Sequence, residues 1–299
     1  MVDNGSVTYM DIGMIKSLLP DRPDDSHKGD FGKVLAMVGS PNYVGAAHLA
    51  CEGASRVGAG LVTLAVSRNL HAILASKLTE TTYLLLDEDA GLPSLESYES
   101  IISVSEDSSV FLAGCGLDPG YATTNLLTHT VLSRRFPNVP VVLDASALTC
   151  LSKMDGWWFR VNSDTVITPH SGEMARLSGI SVDEIKNDRL NIAINKSVEW
   201  GVVVVLKGPE TIVASPDGLA RVSPYSNAGL ASAGTGDVLA GMISGFIAQG
   251  LSIFDAASCA VYIHAHTADM MRLTKGNAGI LATDLLLNTP NSISTIRAK

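Results

Sequence analysis

The 299-residue chain is short of positive charge and of long apolar runs, and each shortage excludes a class of protein. Its 21 lysines and arginines stand against 30 aspartates and glutamates, so the formal net charge is −9. A protein that binds the phosphate backbone of nucleic acid needs a positive surface. The chain has no block of basic residues, so we predict no nucleic-acid partner. The longest apolar stretches, such as residues 202–206, are far shorter than the ~20 residues of a membrane-spanning helix, which predicts no membrane partner.

Cysteine is equally scarce. The four cysteines are far apart in sequence and form no CxxC pair: Cys51, Cys115, Cys150 and Cys259. Zinc cages and redox motifs need closer spacing, so we predict four free thiols that behave as small buried apolar groups. The N-terminus shows no basic segment followed by an apolar core, which predicts no signal peptide and a cytoplasmic location.

Hydrophobic residues make up 46% of the chain, in short β-branched runs separated by stretches of helical periodicity. Continuous apolar strands that alternate with helices indicate a sheet covered on both faces. We therefore predict a three-layer α/β/α fold with a mostly parallel central sheet. The predicted strands cover residues 34–38, 61–66, 82–86, 110–113, 139–143, 165–167 and 202–206, and a hairpin joins residues 211–214 to 220–223. The predicted helices cover residues 121–136, 182–200, 238–249, 254–273 and 283–287.

The sequence contains no linker, repeat or low-complexity tract, so we predict a single domain over residues 1–299. Its first part, residues 1–26, contains Pro20, Pro23 and several aspartates. We predict an irregular N-terminal segment there, of the kind that packs late or against a neighbouring molecule.

The most informative loop is a glycine-rich run over residues 227–237, which leads directly into an apolar helix. Gly234 and Gly236 allow backbone amides to converge at the helix N-terminus, where the helix dipole favours an anion such as phosphate. Asp237 lies beside that anion site, where a carboxylate repels phosphate unless it has a task of its own. Accepting a proton from an attacking hydroxyl is such a task, which predicts phosphoryl transfer with Asp237 as the base. The alternative is an ordinary first-turn acid stabilised by the dipole, which accounts for Asp237 but not for the glycines.

Two further loops follow predicted strands, the position at which open parallel sheets bind ligands. Lys207 closes a buried apolar strand next to a glycine, and either a phosphate contact or a solvated lysine on an edge turn fits that position. His170 and Glu173 follow another strand. They fit either the first turn of a helix that begins near Pro169 or a pair that orients a substrate and hydrated Mg²⁺.

Standard nucleotide-binding motifs are absent. No GxxxxGK[ST] run occurs, and the GxGxxxG spacing over residues 114–120 is one residue longer than the dinucleotide fingerprint. Either a tight turn that needs glycine or a ligand-facing loop fits this segment. His264 and His266 lie two residues apart on a predicted helix and point to different faces, which predicts core or surface residues rather than metal ligands.

Taken together, these loops resemble one family. Six segments resemble, in order and spacing, those of the nucleotide-dependent NAD(P)H-hydrate dehydratases, which belong to the ribokinase-like superfamily. The segments are HKGDFGKVLAMVGSPNYVGAA, GCGLDPG, VVLDASAL, ITPHSGE, VVVVLKGPET and NAGLASAGTGDVLAG. The resemblance runs from about His27 to the C-terminus. A glycine-rich loop ending in Gly-Asp also occurs in sugar and vitamin kinases of the superfamily, whereas HKGxxG together with TPHxGE and KGxxT is more specific to the dehydratases.

The resemblance implies a role for each loop. Substrate-binding roles, toward the hydrated nicotinamide nucleotide, fall on Ala46, Gly116, His170 and Asp237. Nucleotide-binding roles, toward ADP or ATP, fall on Lys207, Gly208, Pro209, Glu210, Thr211, Thr235 and Gly236. Asp237 is the implied catalytic residue, and Glu173 falls where the superfamily places a glutamate that organises Mg²⁺ through phosphate or water. The departures from the family pattern are small-for-small changes at Ala47, Ser146, Ser171 and Ala233.

The activity implied by the resemblance is that of a lyase in metabolite repair. It restores NADHX and NADPHX, the hydrates of NADH and NADPH, by phosphorylating the ring hydroxyl and eliminating phosphate, with Mg²⁺ and with ADP or ATP as co-substrate. The resemblance also implies a homotetramer and a stand-alone dehydratase domain without the epimerase domain that many relatives carry. The lack of a targeting segment and of a fused domain favours the ADP-using type.

Two alternatives remain open. The first is a small-molecule kinase of the same superfamily, acting on a vitamin precursor or a sugar. The second is a non-catalytic nucleotide sensor, whose expected mark is loss of the Gly236–Asp237 pair, and both of these residues are present.

Overall fold

The computed structural model describes residues 7–89, 92–162 and 164–299. Within these ranges the strands are β1 (Val7–Tyr9), β2 (Lys33–Met37), β3 (Leu61–Ser67), β4 (Thr82–Leu86), β5 (Glu88–Asp89), β6 (Leu92–Pro93), β7 (Val110–Ala113), β8 (Val141–Leu143), β9 (Thr165–Ile167), β10 (Val203–Leu206), β11 (Ile212–Ala214) and β12 (Ala220–Val222). The helices are α1 (Ile12–Leu18), α2 (Val44–Arg56), α3 (Arg68–Ala75), α4 (Leu95–Glu106), α5 (Tyr121–His129), α6 (Ser146–Leu151), α7 (Ser171–Ser178), α8 (Val182–Asn187), α9 (Arg189–Trp200), α10 (Thr235–Ala248), α11 (Ile253–Lys275) and α12 (Ala282–Ala298).

Ten of these strands form one sheet, in the order β1-β12-β11-β10-β9-β8-β7-β2-β3-β4. Neighbouring strands are parallel except for the pairs β10–β11 and β11–β12, which are antiparallel. Strands β5 and β6 pair in a separate two-stranded sheet. The predicted fold class, a mostly parallel sheet with helices on both faces and a hairpin after residue 211, is therefore confirmed.

Consecutive residues of the strands are apolar because both faces of the sheet are buried. In β2, Val34 and Ala36 pack into a core that includes α2, α10 and α11. Leu35 and Met37, which alternate with them, pack into a second core that includes α4, α5, α6 and α9. One sheet thus separates two cores, and the loops at its carboxyl edge are left to form a site.

Two helices of the first core, α2 and α10, pack unusually closely because glycine lies at their contact. A Cβ atom built on Gly241 of α10 would lie 2.0 Å from the carbonyl oxygen of Ala50 in α2, which no side chain tolerates. Close helix packing is the role that the Gly241–Gly245 spacing predicts in a protein core. This close contact fixes the position of α10 against α2.

The predicted irregular segment over residues 1–26 is wrong for residues 7–18, and residues 1–6 lie outside the described ranges. Residues 7–9 form β1, which pairs in parallel with β12. Helix α1 follows, and the Asp11 side chain caps it by accepting a hydrogen bond from the Met14 amide at 2.8 Å. Ile15 is fully buried against the first core. The sequence gives little sign of this because a three-residue strand and a seven-residue helix are too short for their periodicity to be recognised.

Three predicted helices differ clearly in extent from the observed ones. The helix predicted over residues 283–287 is part of the longer α12, which continues to Ala298. The helix predicted over residues 121–136 ends at His129, because Thr130 leaves helical geometry with φ −113° and ψ −102°. The helix predicted over residues 182–200 is divided into α8 and α9 at Asp188, whose φ is −140° and ψ 52°. The Ser181–Glu184 capping box that predicted its start is present. Hydrophobic periodicity continues through such breaks, so it locates helical segments better than it locates their ends.

The structure also bears on the cysteines and on the length of the apolar helices. All four cysteines are buried and none forms a disulfide in the described structure. Among the helices of the described residues, none combines the length and the apolarity that crossing a bilayer requires.

Candidate active site

Three neighbouring strands end side by side at the carboxyl edge of the sheet, and each is followed by a polar residue. Asp144 follows β8, Thr168 follows β9 and Lys207 follows β10. The Lys207 amide donates to the Pro169 carbonyl at 2.8 Å, which extends the pairing of β9 and β10 past the ends of both strands. The parallel register thus brings three chain segments that are distant in sequence to one place.

Lys207 is an internal cation rather than a solvated edge residue. Its Nζ lies 2.7 Å from Oδ1 of Asp144 and 3.7 Å from Oε2 of Glu173, and its side chain is 19% exposed. Burial by itself lowers the pKa of a lysine, but the two carboxylates outweigh burial and raise the pKa of Lys207 above its usual value. The ammonium is therefore charged at neutral pH and faces the site.

The start of α7 is closed by its own side chains. The Nδ1 atom of His170 accepts hydrogen bonds from the amides of Gly172 at 3.0 Å and Glu173 at 3.2 Å. The Glu173 carboxylate in turn accepts from the His170 amide at 2.8 Å, which completes a capping box. Burial lowers the pKa of His170, so the ring is neutral near pH 7 and can act as this acceptor. The helix-start interpretation of the pair is thus present in the structure.

The start of α10 is open by comparison. Its N-cap is Gly234, with φ +87°, and no side chain in the described structure caps the first-turn amides. Gly236 and Thr235, in that first turn, line a cavity of about 510 Å³. The cavity is also lined by predicted ligand residues from two other loops, namely His170, Lys207, Gly208, Pro209 and Thr211. Most of the predicted nucleotide-binding set therefore shares one cavity with an uncapped helix N-terminus.

Asp237 lies in the same first turn and is turned toward the strand ends. A ligating oxygen of its carboxylate, one of Asp144 and the Cys115 sulfur all lie within 4.8 Å of one another. Burial, followed by the negative charge of Asp144, raises the pKa of Asp237 to about 6, and Lys207 opposes the shift. A carboxylate with that pKa is ionised at pH 7 and is a better proton acceptor than an exposed aspartate.

His264 of α11 forms a hydrogen bond to the first turn of α10. It is 6% exposed, and its Nε2 lies 3.0 Å from the carbonyl oxygen of Thr235, so that Nε2 carries the hydrogen of this bond. Burial lowers the pKa of His264 to about 4, which keeps the ring neutral. His264 and His266 are both buried side chains of α11, so of the two predicted alternatives, core or surface, the structure has core.

The predicted substrate residues Ala46 and Gly116 lie outside the lining of the large cavity. They touch each other: a Cβ built on Gly116 would lie 2.4 Å from that of Ala46. Cys115, next to Gly116, is the residue that meets Asp237. Gly114 and Gly116 have φ values of +117° and +63°, so the tight-turn interpretation of this loop holds for both. Asp237 thus follows Gly236, which lines the cavity, and approaches Cys115, the chain neighbour of Gly116.

One predicted nucleotide residue is not brought into the cavity. Glu210 is exposed and left-handed, with φ +50°, and its amide donates to the Tyr225 carbonyl at 3.0 Å. The structure therefore gives Glu210 a loop-shaping role, and its neighbours Pro209 and Thr211 supply the lining.

The residues at this edge do not form a cage for Mg²⁺. Cys115, Asp144 and Asp237 are the metal-ligating group found among the described residues, but a thiol is too soft a ligand and Asp144 is already paired with Lys207. The oxygens of Glu173, the predicted Mg²⁺ residue, are engaged by the His170 amide and approached by Lys207. Mg²⁺ fits here only as an ion that keeps its waters and arrives on the phosphates of a nucleotide.

Asp144 and His264 are the site residues that sequence reasoning missed. Asp144 was contained in the segment VVLDASAL, and its position directly after a buried strand was the available signal. His264 carried no such signal, because its partner is a backbone carbonyl 29 residues away.

The fold and the site together define a class. The fold is shared with a ribokinase-like superfamily protein from Enterococcus faecalis V583, at a TM-score of 0.85 and 25% identity, over 100% of this chain and 99% of that one. The chain belongs to the NAD(P)H-hydrate dehydratase family, whose model matches residues 34–291. The resemblance drawn from the six segments is therefore confirmed.

Two relatives make the family relation concrete. The ADP/ATP-dependent NAD(P)H-hydrate dehydratase from Bacillus subtilis, co-crystallized with ATP/Mg²⁺, aligns with a TM-score of 0.83 and 29% identity over 96% of this chain and 98% of that one. The bifunctional NAD(P)H-hydrate repair enzyme of Moorella thermoacetica is 40% identical over 272 residues, which are 91% of this chain and 51% of that protein. The chain spans about half the length of the first curated relatives that it matches.

Proposed function

We propose that this chain catalyses the nucleotide-dependent dehydration of NADHX and NADPHX to NADH and NADPH. The observation that carries the proposal is the placement of Asp237: a carboxylate of raised pKa stands in the uncapped first turn of α10, with the charged Lys207 beside it. A site that only bound a phosphate would have no use for that carboxylate.

The large cavity is proposed to hold the nucleotide. Lys207 and the loop through Thr211 face Thr235 and Gly236 across it. The apolar side chains of Leu239 and Val261 line the same cavity and suit a base, whereas the lysine and the helix amides suit phosphates. The hydrated nicotinamide is proposed to lie between this cavity and the Ala46–Gly116 contact, where it meets Asp237 and also His170, which lines the cavity.

Phosphoryl transfer is the first proposed step. Asp237 accepts the proton of the ring hydroxyl, the hydroxyl oxygen forms a bond to the terminal phosphorus, and the bond from that phosphorus to the nucleotide's bridging oxygen breaks. The Gly236 amide and Lys207 stabilise the charge on the transferring group, and one such donor is typically worth ~3–4 kcal/mol. ADP leaves as AMP, or ATP as ADP.

Elimination is the second proposed step. Hydroxide is a poor leaving group, whereas phosphate is a good one. The lone pair of the ring nitrogen expels phosphate from the adjacent carbon. The released phosphate then takes a proton from the next ring carbon, and the electron pair of that C–H bond forms the double bond that restores the dihydropyridine. The products are the reduced cofactor, phosphate and a nucleotide shortened by one phosphate.

Four finer properties are proposed with this function. Mg²⁺ accompanies the nucleotide as part of the co-substrate, in keeping with the Bacillus subtilis relative, which was co-crystallized with ATP/Mg²⁺. ADP is the preferred donor. The chain assembles as a homotetramer. Glu173 acts on the phosphates through Lys207 rather than as a direct metal ligand.

The test is the variant Asp237→Asn with NADHX, Mg²⁺ and ADP or ATP, followed by the return of reduced-nicotinamide absorbance. We expect turnover to fall by about 10²–10⁴-fold with nucleotide affinity nearly unchanged, because the amide cannot accept the proton. The matched control is Asp183→Asn, an exposed acid in the first turn of α8, which should leave turnover unchanged. Equal activity of both variants would refute the role of Asp237.

The same assay separates the alternatives. A small-molecule kinase would release a phosphorylated product without restoring absorbance, and a nucleotide sensor would bind ADP without any turnover. A wild-type protein that binds ADP but leaves NADHX unchanged would overturn the proposed function.

A further inference from the structure

Asp144 is held rigidly at the centre of the site. It is 2% exposed, and its amide donates to the Ala113 carbonyl at 3.1 Å. Its Oδ1 accepts from the Thr168 hydroxyl at 2.6 Å and from Lys207 at 2.7 Å, and its Oδ2 faces the Cys115 thiol at 3.7 Å. Donors from the ends of β7, β9 and β10 thus hold one carboxylate in a single orientation.

Asp237 competes with Asp144 for the same cation. The groups that face the Asp237 carboxylate are Asp144 from the end of β8, Cys115 from the end of β7 and Lys207 from the end of β10. Lys207 makes its 2.7 Å contact with Asp144, and Asp237 has no ion pair among the described residues. The nearest cation is therefore engaged by a neighbour, while that neighbour's negative charge disfavours ionisation of Asp237.

We propose that Asp144 is a positioning residue for the transfer step: it holds the Lys207 ammonium away from Asp237, so that Asp237 keeps the basicity needed to take the hydroxyl proton. This inference rests on the proposed function for its catalytic meaning. The arrangement resolves a conflict in the site. The transferring phosphoryl group needs a nearby cation, yet an ammonium bonded directly to Asp237 would make that carboxylate a poor base.

The first test needs no turnover. A ¹³C-detected NMR titration of aspartate carboxyl carbons in the ligand-free protein, assigned with Asp237→Asn, measures the pKa of Asp237. The variant Asp144→Asn keeps a side chain of the same shape and frees Lys207. We expect the Asp237 midpoint to fall by about one pH unit or more, because a neighbouring anion is removed and a cation becomes free.

Two further variants exclude simple structural damage. Lys207→Gln should move the midpoint of Asp237 upward, because a cation that lowers its pKa is removed. Thr168→Val removes a hydrogen bond to Asp144 but leaves all three charges, so the midpoint should stay at the wild-type value. Shifts of opposite sign for Asp144→Asn and Lys207→Gln support the proposal. A midpoint that is unmoved by Asp144→Asn, or moved equally by Thr168→Val, overturns it.

The catalytic consequence is read from the pH dependence of kcat/KM, which reports the free enzyme. The wild-type acid limb should lie near the pKa of Asp237, at about 6. In Asp144→Asn the limb should move to lower pH and kcat on the plateau should fall about tenfold, because the base is weaker. If the wild type is inactive on NADHX, the proposed function fails, while the NMR titration still decides whether Asp144 sets the basicity of Asp237.

Discussion

Two helices begin at the same edge of the sheet, and their first turns are built in opposite ways. In α7 the amides of Gly172 and Glu173 donate to the His170 ring, so the first turn is capped by the protein's own side chain. In α10 the N-cap is Gly234, and the described structure provides no side chain for the first-turn amides. A closed first turn stabilises its own helix, whereas an open one leaves donors for an anion from outside.

Lys207 connects these two helix starts. Its Nζ is 3.7 Å from Glu173 in α7, and it would lie 3.5 Å from a Cβ built on Gly236 in α10. The closed helix therefore helps to fix a cation for use at the open one. In a site arranged in this way, some residues contribute mainly stability and others mainly turnover, and substitutions can separate the two groups.

The largest effect is expected from Lys207→Met, which removes the connection. Asp144 would be left as a buried carboxylate with no cation, so the free energy of unfolding should fall by about 3–5 kcal/mol and turnover should be lost. Urea denaturation measures the first quantity and the absorbance assay the second. Lys275→Met, which removes a pair that Asp284 makes at the surface, is the matched control and should cost less than about 1 kcal/mol. Equal stability of the two variants would contradict the buried-pair interpretation.

An intermediate effect is expected at the second residue of each helix. In Gly236→Ala the new Cβ would lie 3.5 Å from Lys207 Nζ and 3.8 Å from Asp144 Oδ2, distances that the folded protein accommodates. The methyl group would nevertheless occupy the space in front of the amide, so kcat/KM for the nucleotide should fall about tenfold or more while stability is unchanged.

The counterpart of this variant is Gly172→Ala in α7. Its Cβ would lie 3.0 Å from Cε1 of His170 and would push the capping ring. We expect a loss of about 0.5–1 kcal/mol of stability with nucleotide affinity retained. If both alanine variants changed the same quantity, the distinction between a closed and an open helix start would fail.

The parallel strands and the glycine-rich loop of the site could be predicted from the sequence, but the contacts that bring the site residues together could not. Uninterrupted apolar runs identified the parallel strands, because both faces of the sheet are buried. The loop containing Gly234, Gly236 and Asp237 was identified because glycine spacing at a helix start has one dominant use. Strand order is not visible in a sequence, so the approach of Lys207 to Asp144, 63 residues away, could not be predicted. Short elements such as β1 were not predicted for a different reason: three residues are too few to show a hydrophobic period.

An effect about as small as that of Gly172→Ala, but one that depends on pH, is expected from His170→Ala, which removes the side-chain cap of α7. Loss of the ring acceptor should cost about 1 kcal/mol, as for other N-cap substitutions. The pKa of His170 is lowered from 6.5 by burial, so its stabilising contribution is present above pH 6.5 and is lost as pH falls through the lower folded-state value. The difference in Tm between wild type and His170→Ala should therefore be greatest near pH 8 and shrink toward pH 5, where the protonated ring no longer accepts the two amides. Asp237 titrates in the same range but is present in both proteins, so the difference isolates His170. A Tm difference that stays constant from pH 8 to pH 5 would show that the ring contributes by packing rather than by capping.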